Sequence, residues 1–378
     1  MKKIIFGITS LTLGGAERVL VDIANKLCDS YDIEILTIYS KGELEKELNN
    51  KIKVTNIYSK AFNDYNKLQK ILIVIKTLLL KKQIYKKYIQ GKFEKEIAFL
   101  EGAITRIFSV KLSQKEGNKK NNINNKMVWV HNDISNVFGK GIKSRVKRKL
   151  DEKIYSKFDK IIFVSKDNKE KFIDTYPNIK SNMQVIINYI DKEKVIKKSE
   201  EKIDIEFKKD KINIVTVARL VPQKAIDRFM KAYKRLKDEK DIECDIYVIG
   251  DGPEYQNLKN KQLELNIEDS FKLLGKKVNP YPYMENSNYF VLFSQFEGYG
   301  MVIEEAKILG KNILITNTAA REAIVGYKNS KIFDNTQEGV YLALQEILIN
   351  SANNKIKGKI EEYNNEYILE EIKNLLND

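Results

Sequence analysis

Residues 291–315 read VLFSQFEGYGMVIEEAKILGKNILI. Val291–Phe293 is a short apolar run. A polar turn follows, Ser294-Gln295-Phe296-Glu297-Gly298-Tyr299-Gly300. Met301–Leu309 then carries apolar residues at helical spacing, and Gly310 stands where a helix stops. A second apolar run, Ile313–Ile315, closes the unit. Strand, turn, helix, strand is the repeating unit of an α/β domain with a parallel sheet. The turn leaves free backbone N–H groups at a helix N-terminus, a place suited to an anion. Glu297 and Glu305 bracket it with seven residues between them. The spacing predicts that the helix buries Val302, Ile303, Ala306 and Leu309. Glu304 and Glu305 point about 100° apart and cannot share a face. Each glutamate is either a solvated surface residue or a ligand contact.

Outward from that stretch, 378 residues make two domains the expectation. Hydrophobic content of 43% is that of a globular protein. The formal charge of +15 suits acidic partners: nucleotide-sugars, pyrophosphate-linked lipids, anionic membranes or nucleic acid. Cys28 and Cys244 have no metal-ligand spacing and read as small buried residues in a reducing compartment. The opening MKKIIFGIT reads as a first strand, not a signal peptide. No apolar stretch reaches transmembrane length, and no internal repeat appears.

In the first half, residues 3–8 read as a buried strand. A loop to Gly14 precedes a helix from Gly15 to about Cys28. Gly14-Gly15 lets backbone approach a ligand at that helix start. The glycine spacing does not fit the dinucleotide fingerprint. Further strands are expected at 33–39, 54–57, 96–100, 127–130, 160–164 and 185–187. Residues 66–90 alternate apolar and lysine positions. They form either a core helix with solvated lysines or a basic amphipathic surface for an anionic bilayer. Residues 140–153 are a dense basic helix: a solvated face, or a contact for acceptor pyrophosphate or membrane. Residues 111–125 read as a polar loop. Glu101 and Asp133 sit at strand ends, where ligands gather in such sheets, and are the acceptor-side candidates. His131, the one histidine, also follows a strand. Such a residue is commonly structural, but a neutral imidazole there can bond a ligand hydroxyl.

In the second half, 192–210 reads as charged linker. A strand over 212–218 is followed by Arg219 and Lys224, then a helix over 226–236. An arginine fork and a lysine point charge at a strand-to-helix junction make a diphosphate clamp; otherwise they are surface cations. A strand at 246–249 ends in Gly250-Asp251-Gly252-Pro253. Another at 271–274 leads to a loop with Lys276, Lys277 and Val278. Residues 361–376 read as a terminal helix.

Gly-Gly, His, Arg/Lys, Gly-x-Gly-Pro and Glu-x7-Glu, in this order over nearly the whole chain, resemble family 4 glycosyltransferases. The resemblance implies a GT-B fold: two Rossmann-like domains with parallel sheets facing an interdomain cleft. It implies an acceptor-side domain at 1–191, a nucleotide-sugar domain at 192–360, and a helix at 361–378 returning to the first domain. It implies a retaining transfer from a nucleotide-sugar, expected to be a uridine diphosphate sugar, to a saccharide or lipid-linked saccharide in surface polysaccharide synthesis. In that family scheme the catalytic group is Glu297, His131, Arg219 and Lys224. Gly15, Arg219, Lys224, Gly300, Met301, Val302 and Glu305 bind the donor, with Glu305 on the ribose. The loop of Lys276, Lys277 and Val278 lies near the nucleobase. No cofactor and no metal are expected. The expected place is the cytoplasm, at the inner face of the membrane if 66–90 and 140–153 bind it. Two departures stand out: Tyr189 replaces the glycine of the turn closing the first domain, and Ala225 replaces the glycine after the lysine. No Asp-x-Asp and no P-loop occur, which disfavours a metal-dependent GT-A enzyme and a P-loop NTPase. Two other readings remain: a sugar-nucleotide epimerase of the same fold, and a basic nucleic-acid-binding protein. The latter lacks any nucleic-acid motif.

Overall fold

A computed structural model describes residues 1–90, 92–111, 126–134, 142–240, 244–352 and 363–378. The chain forms two compact units, Met1–Ile190 with Asn365–Asp378, and Asp191–Asn364.

The first unit contains β1 (Lys3–Ile8), α1 (Gly15–Leu27), β2 (Asp32–Tyr39), β3 (Lys53–Tyr58), α2 (Lys67–Leu79), α3 (Lys81–Tyr88), β4 (Lys95–Ala98), α4 (Ala103–Phe108), β5 (Lys126–Val130), α5 (Ile142–Tyr155), β6 (Lys160–Phe163), α6 (Lys166–Thr175) and β7 (Asn182–Val185). Its sheet runs β3-β2-β1-β4-β5-β6-β7, and every described pairing is parallel. The order steps outward from β1 in both directions, so the chain reverses its winding between β1 and β4. In sheets of this kind ligands bind beyond the carboxyl ends of the strands at such a reversal. Helices cover both faces, so the strands are continuous apolar runs rather than alternating ones; five of the six residues of β1 are buried. Gly7 lies inside β1 because the Phe108 ring packs against it: a Cβ there would lie 2.2 Å from Phe108 Cε2.

The second unit contains α7 (Lys192–Ser199), β8 (Ile212–Val217), α8 (Ile226–Glu239), β9 (Cys244–Ile249), α9 (Tyr255–Glu264), β10 (Phe271–Gly275), α10 (Tyr281–Glu285), β11 (Tyr289–Leu292), α11 (Met301–Ile308), β12 (Asn312–Thr316), β13 (Ser330–Phe333) and α12 (Gln337–Ala352). Its sheet, β10-β9-β8-β11-β12-β13, is again parallel in every described pairing, with the reversal between β8 and β11. Phe229, Tyr233, Ile246, Val248, Phe271, Val291 and Leu344 belong to one buried cluster between sheet and helices. The last helix, α13 (Glu366–Asn377), belongs to the first unit. It buries Ile368, Leu369, Ile372, Leu375 and Leu376. Lys2 Nζ donates to the Asn377 carbonyl at 3.0 Å, and Lys160 pairs with Asp378 at 2.9 Å.

Four expectations are corrected. The segment 192–210 is not all linker, because Asp191 caps α7 by accepting from the Lys194 N–H at 3.2 Å. The stretch 66–90 is two helices, broken at Leu80, and α2 turns its apolar side to solvent rather than to the core. Strand β7 begins at Asn182, ahead of the expected 185. In α11, Val302 is only half-buried, while Glu304 and Glu305 are both buried. The expected loop at 112–125, with residues 140–141 of the basic segment, lies outside the described residues. Cys28 and Cys244 are both buried free thiols. Among the described residues no helix is long and apolar enough to cross a membrane.

Candidate active site

In the second unit the loop after β8 and the loop after β11 are laced together. β8 ends at Val217, and the chain passes through Arg219 and the single turn Pro222–Lys224 into α8. Ala225 makes the corner with φ 49°, the left-handed region. From this corner Gln223 Nε2 donates to the Phe296 carbonyl at 2.8 Å, and the Gln295 N–H donates to the Gln223 carbonyl at 2.8 Å. One turn on, Arg228 Nη2 donates to the Phe293 carbonyl at 2.7 Å. Thr316 Oγ1 and Asn335 Nδ2 hold the Ser294 and Gln295 carbonyls at 2.8 and 2.7 Å. The result fixes Glu297 against Lys224, with 2.5 Å between Nζ and Oε1. Their side chains are 17% and 6% exposed, so the pair sits in a largely dry place where each charge needs the other.

Arg219 stands beside this pair in sequence but is exposed, and among the described residues its side chain has no partner. Its backbone is held by the Gly250-Asp251-Gly252 turn. The Leu220 N–H donates to the Asp251 carbonyl at 2.9 Å. A Cβ on Gly250 would lie 1.8 Å from the Ala218 carbonyl oxygen, and one on Gly252 2.3 Å from that of Leu220. Those glycines therefore serve the close approach of two strand ends.

Helix α11 starts at Gly300, in the left-handed region at φ 83°, with no side-chain cap. The Ile303 N–H donates to the Gly300 carbonyl at 2.8 Å, while the Met301 and Val302 N–H groups are left for a ligand or solvent. Glu305 accepts from Tyr281 OH at 2.9 Å. Glu304 accepts from Tyr299 OH at 2.6 Å and pairs with Lys307 at 2.9 Å. Thus the two adjacent glutamates are both buried and each has a tyrosine. Of the loop after β10, Lys277 is tied to Asp204, which also holds Tyr283, while Lys276 and Val278 are exposed.

In the first unit, Glu101 at the end of β4 grips the turn after β5. Its Oε1 accepts from the His131 and Asn132 N–H groups at 2.6 and 2.8 Å, and its Oε2 from Asn132 Nδ2 at 2.9 Å. Burial raises the Glu101 carboxyl above the usual range, while these donors oppose that rise. The His131 ring packs on Phe99, with centroids 4.9 Å apart, and bonds the Phe99 backbone. Its Nε2 is enclosed and has no partner among the described residues. Burial pulls the imidazole down to about 3, so it is neutral. A neutral ring bonded to a backbone carbonyl through its N–H leaves Nε2 as a bare acceptor. Asp133 is buried and paired with Lys171 at 2.8 Å. Gly15 is exposed at the first residue of α1, and the Glu17 carboxylate folds back over Gly14.

The structure therefore brings Lys224 and Glu297 together, sets Arg219 and the start of α11 on the loops flanking them, and gives Glu305 a buried tyrosine. It engages Glu101 and Asp133 in local bonds of their own. Sequence reasoning missed Gln223, Arg228, Thr316 and Asn335, whose partners are backbone carbonyls. Among the described residues no group of three acidic, histidine or cysteine side chains is placed to hold a metal ion.

Residues 197–367 match the family model described as glycosyl transferases group 1. An uncharacterized glycosyltransferase of Methanocaldococcus jannaschii is 26% identical over 314 residues, 79% of this chain and 72% of the relative. The N-acetylgalactosamine-N,N'-diacetylbacillosaminyl-diphospho-undecaprenol 4-alpha-N-acetylgalactosaminyltransferase of Campylobacter jejuni is 32% identical over 181 residues, and the match spans 47% of each chain. Among solved structures, Anabaena HepE in complex with UDP and glucose superposes over 100% of both chains, with a TM-score of 0.72 at 16% identity. That likeness fixes the fold as GT-B, with parallel Rossmann-like sheets of seven and six strands. None of these relatives supports the epimerase alternative.

Proposed function

We propose, for a chain whose residues 197–367 match the family model of group 1 glycosyl transferases, a retaining glycosyltransferase of the family 4 type. Its donor is a uridine diphosphate sugar and its acceptor a hydroxyl of a lipid-linked saccharide. The observation that carries the reading is the braced Lys224–Glu297 pair between two strand-end loops. A buried cation and carboxylate bonded to each other offer a ligand one group for its negative part and one for its hydroxyls. The donor diphosphate takes the ammonium, and the sugar hydroxyls take the carboxylate.

In this scheme the bond between the sugar C1 and the phosphate oxygen breaks, and its electron pair leaves with the nucleoside diphosphate. Arg219, Lys224 and the N–H groups at Met301 and Val302 stabilise that growing charge, so the reaction calls on no metal or other cofactor. Glu305 holds the ribose, with Tyr281 fixing its rotamer. Glu297 orients the sugar, and His131 Nε2 accepts from a sugar hydroxyl. The acceptor oxygen bonds to C1 on the face the diphosphate leaves, and its proton passes to the departing phosphate. The lipid-linked acceptor is supported by the Campylobacter relative, whose substrate is a diphospho-undecaprenol saccharide. Such a role fits surface-glycan synthesis.

A thermal-shift panel of uridine, guanosine and adenosine diphosphate sugars tests the donor, since a ligand stabilises through its affinity for the native state. Selective stabilisation by one uridine diphosphate sugar is expected. No shift with any of them at millimolar concentration overturns the donor site.

A further inference from the structure

Helix α2 is built the wrong way round for a core helix. Asn66 and Gln69 form a reciprocal cap at its start, each side chain bonding the other's N–H at 2.9 and 3.0 Å. The helix then rests on the first unit through Ile73, Thr77 and Leu80. Thr77 is the buried residue of the thirteen, and its hydroxyl bonds Tyr58 OH at 2.9 Å. At about 100° per residue, Leu68, Ile71, Leu72, Ile75 and Leu79 fall in a sector of roughly 100° directly opposite. Their exposures are 67, 51, 55, 48 and 75%. Lys67 and Lys76, both exposed, lie on the two flanks of that sector. Globular proteins seldom leave such a contiguous apolar face uncovered, and where they do it marks an interaction surface.

The geometry points to an anionic lipid bilayer as the occupant, met by α2 lying in the interface plane with its outward face among the acyl chains. Charge decides between occupants. From Tyr65 to Phe93 the sequence holds lysines at 67, 70, 76, 81, 82, 86, 87 and 92 and no aspartate or glutamate. An apolar stripe rimmed by one sign of charge matches an acidic headgroup layer. It opposes a second copy, because a symmetric contact would set one lysine rim against the other. Exposed Phe62, with Lys70 Nζ 4.4 Å above its ring, extends the surface at the helix start. Exposed Val146 and Leu150 on the basic helix α5 show that a second helix of this unit mixes apolar and cationic exposure. The inference deepens the proposed function by naming where a lipid-linked acceptor is met, and it rests on that reading only for this consequence.

The test sediments the full-length protein with vesicles of 30% phosphatidylglycerol in phosphatidylcholine, and with phosphatidylcholine alone, at 0.1 M salt. At least tenfold stronger partition to the anionic vesicles is expected. A further loss of tenfold or more is expected for Leu72→Glu/Ile75→Glu and for Lys67→Glu/Lys76→Glu. These side chains face solvent, so both variants keep the wild-type thermal transition. Equal partition to both vesicles, or variants that bind as the wild type does, overturns the proposal. So does a wild-type dimer in sedimentation equilibrium that Leu72→Glu/Ile75→Glu dissociates, with no vesicle binding: a second copy then covers the face. Partition needs no turnover, so it stands or falls separately from the nucleotide-sugar panel.

Discussion

At the scale of single residues, the Lys224–Glu297 pair makes two demands that separate in experiment. If Lys224 takes the diphosphate, Lys224→Ala lowers turnover on the order of 10²-fold, the size seen when one charge-stabilising donor is removed. If Glu297 is as dry as its 6% exposure says, the same change strands a buried carboxylate and costs about 3 kcal/mol of stability. Urea unfolding should then show Lys224→Ala/Glu297→Gln recovering much of that stability while activity stays lost. Near-normal turnover in Lys224→Ala would remove the pair from the reaction, and no stability recovered in the double variant would mean that Glu297 is not stranded by the loss of the lysine. His131 gives a prediction of opposite character, in pH. Its folded value of about 3 lies below the ordinary imidazole value. Below pH 6.5 the unfolded chain binds a proton that the folded one refuses, so stability falls as pH drops from about 6.5 toward 3. The raised Glu101 carboxyl acts in the other direction. Denaturant titrations at pH 7 and 5 should show His131→Phe losing less stability across that interval than the wild type.

At the scale of elements, the strands were legible because a parallel sheet covered on both sides demands continuous apolar runs. Ile4–Phe6, Ile246–Ile249 and Val291–Leu292 announce themselves. Helix α2 was legible as a helix but not in its orientation. Periodicity shows that an apolar stripe exists, and only packing shows which side holds the core. Helix α7 was hidden in KEKVIKKS, where one buried valine, Val195, and a capping aspartate are the whole signal. Arg219 and Lys224 could be singled out from their charge and place. The braces on the Glu297 loop could not, since a side chain that bonds a distant carbonyl leaves no pattern in sequence. Ala225 conceals its own corner by occupying, at φ 49°, a conformation that glycine takes more readily. Two predictions belong here. Arg228→Leu removes the donor to the Phe293 carbonyl and should lower kcat/KM about tenfold through a displaced Glu297, an estimate from what a small misplacement costs. Arg228→Lys should restore part of it, while a purely structural loss would show as melting without that rescue. Gly300→Ala forces an L-residue into φ 83° beside Ile303 Cδ1, 3.0 Å from the new Cβ. It should cost about 1–2 kcal/mol and weaken nucleotide binding.

At the scale of the whole molecule, the first unit is discontinuous: it is closed by α13, which arrives after all of the second unit. The five apolar side chains that α13 buries contribute about 1.5 kcal/mol each, together roughly 7 kcal/mol and comparable to a domain's entire stability. A chain ending at Asn364 should therefore keep a cooperative transition for residues 191–364 and lose the one for the first unit, read as two phases collapsing to one in calorimetry. Survival of both would mean that α13 is dispensable. The same arrangement bears on synthesis. Ribosomes extend chains at about 5–20 residues per second, so even the last strand of the first unit waits on the order of 10–40 s for the helix that completes it. Throughout that wait the apolar seat of α13 stays open to chaperones and proteases. A messenger cut short before residue 365 by a nonsense codon can never fill it, so the fold itself distinguishes chains that carry α13 from those that lack it.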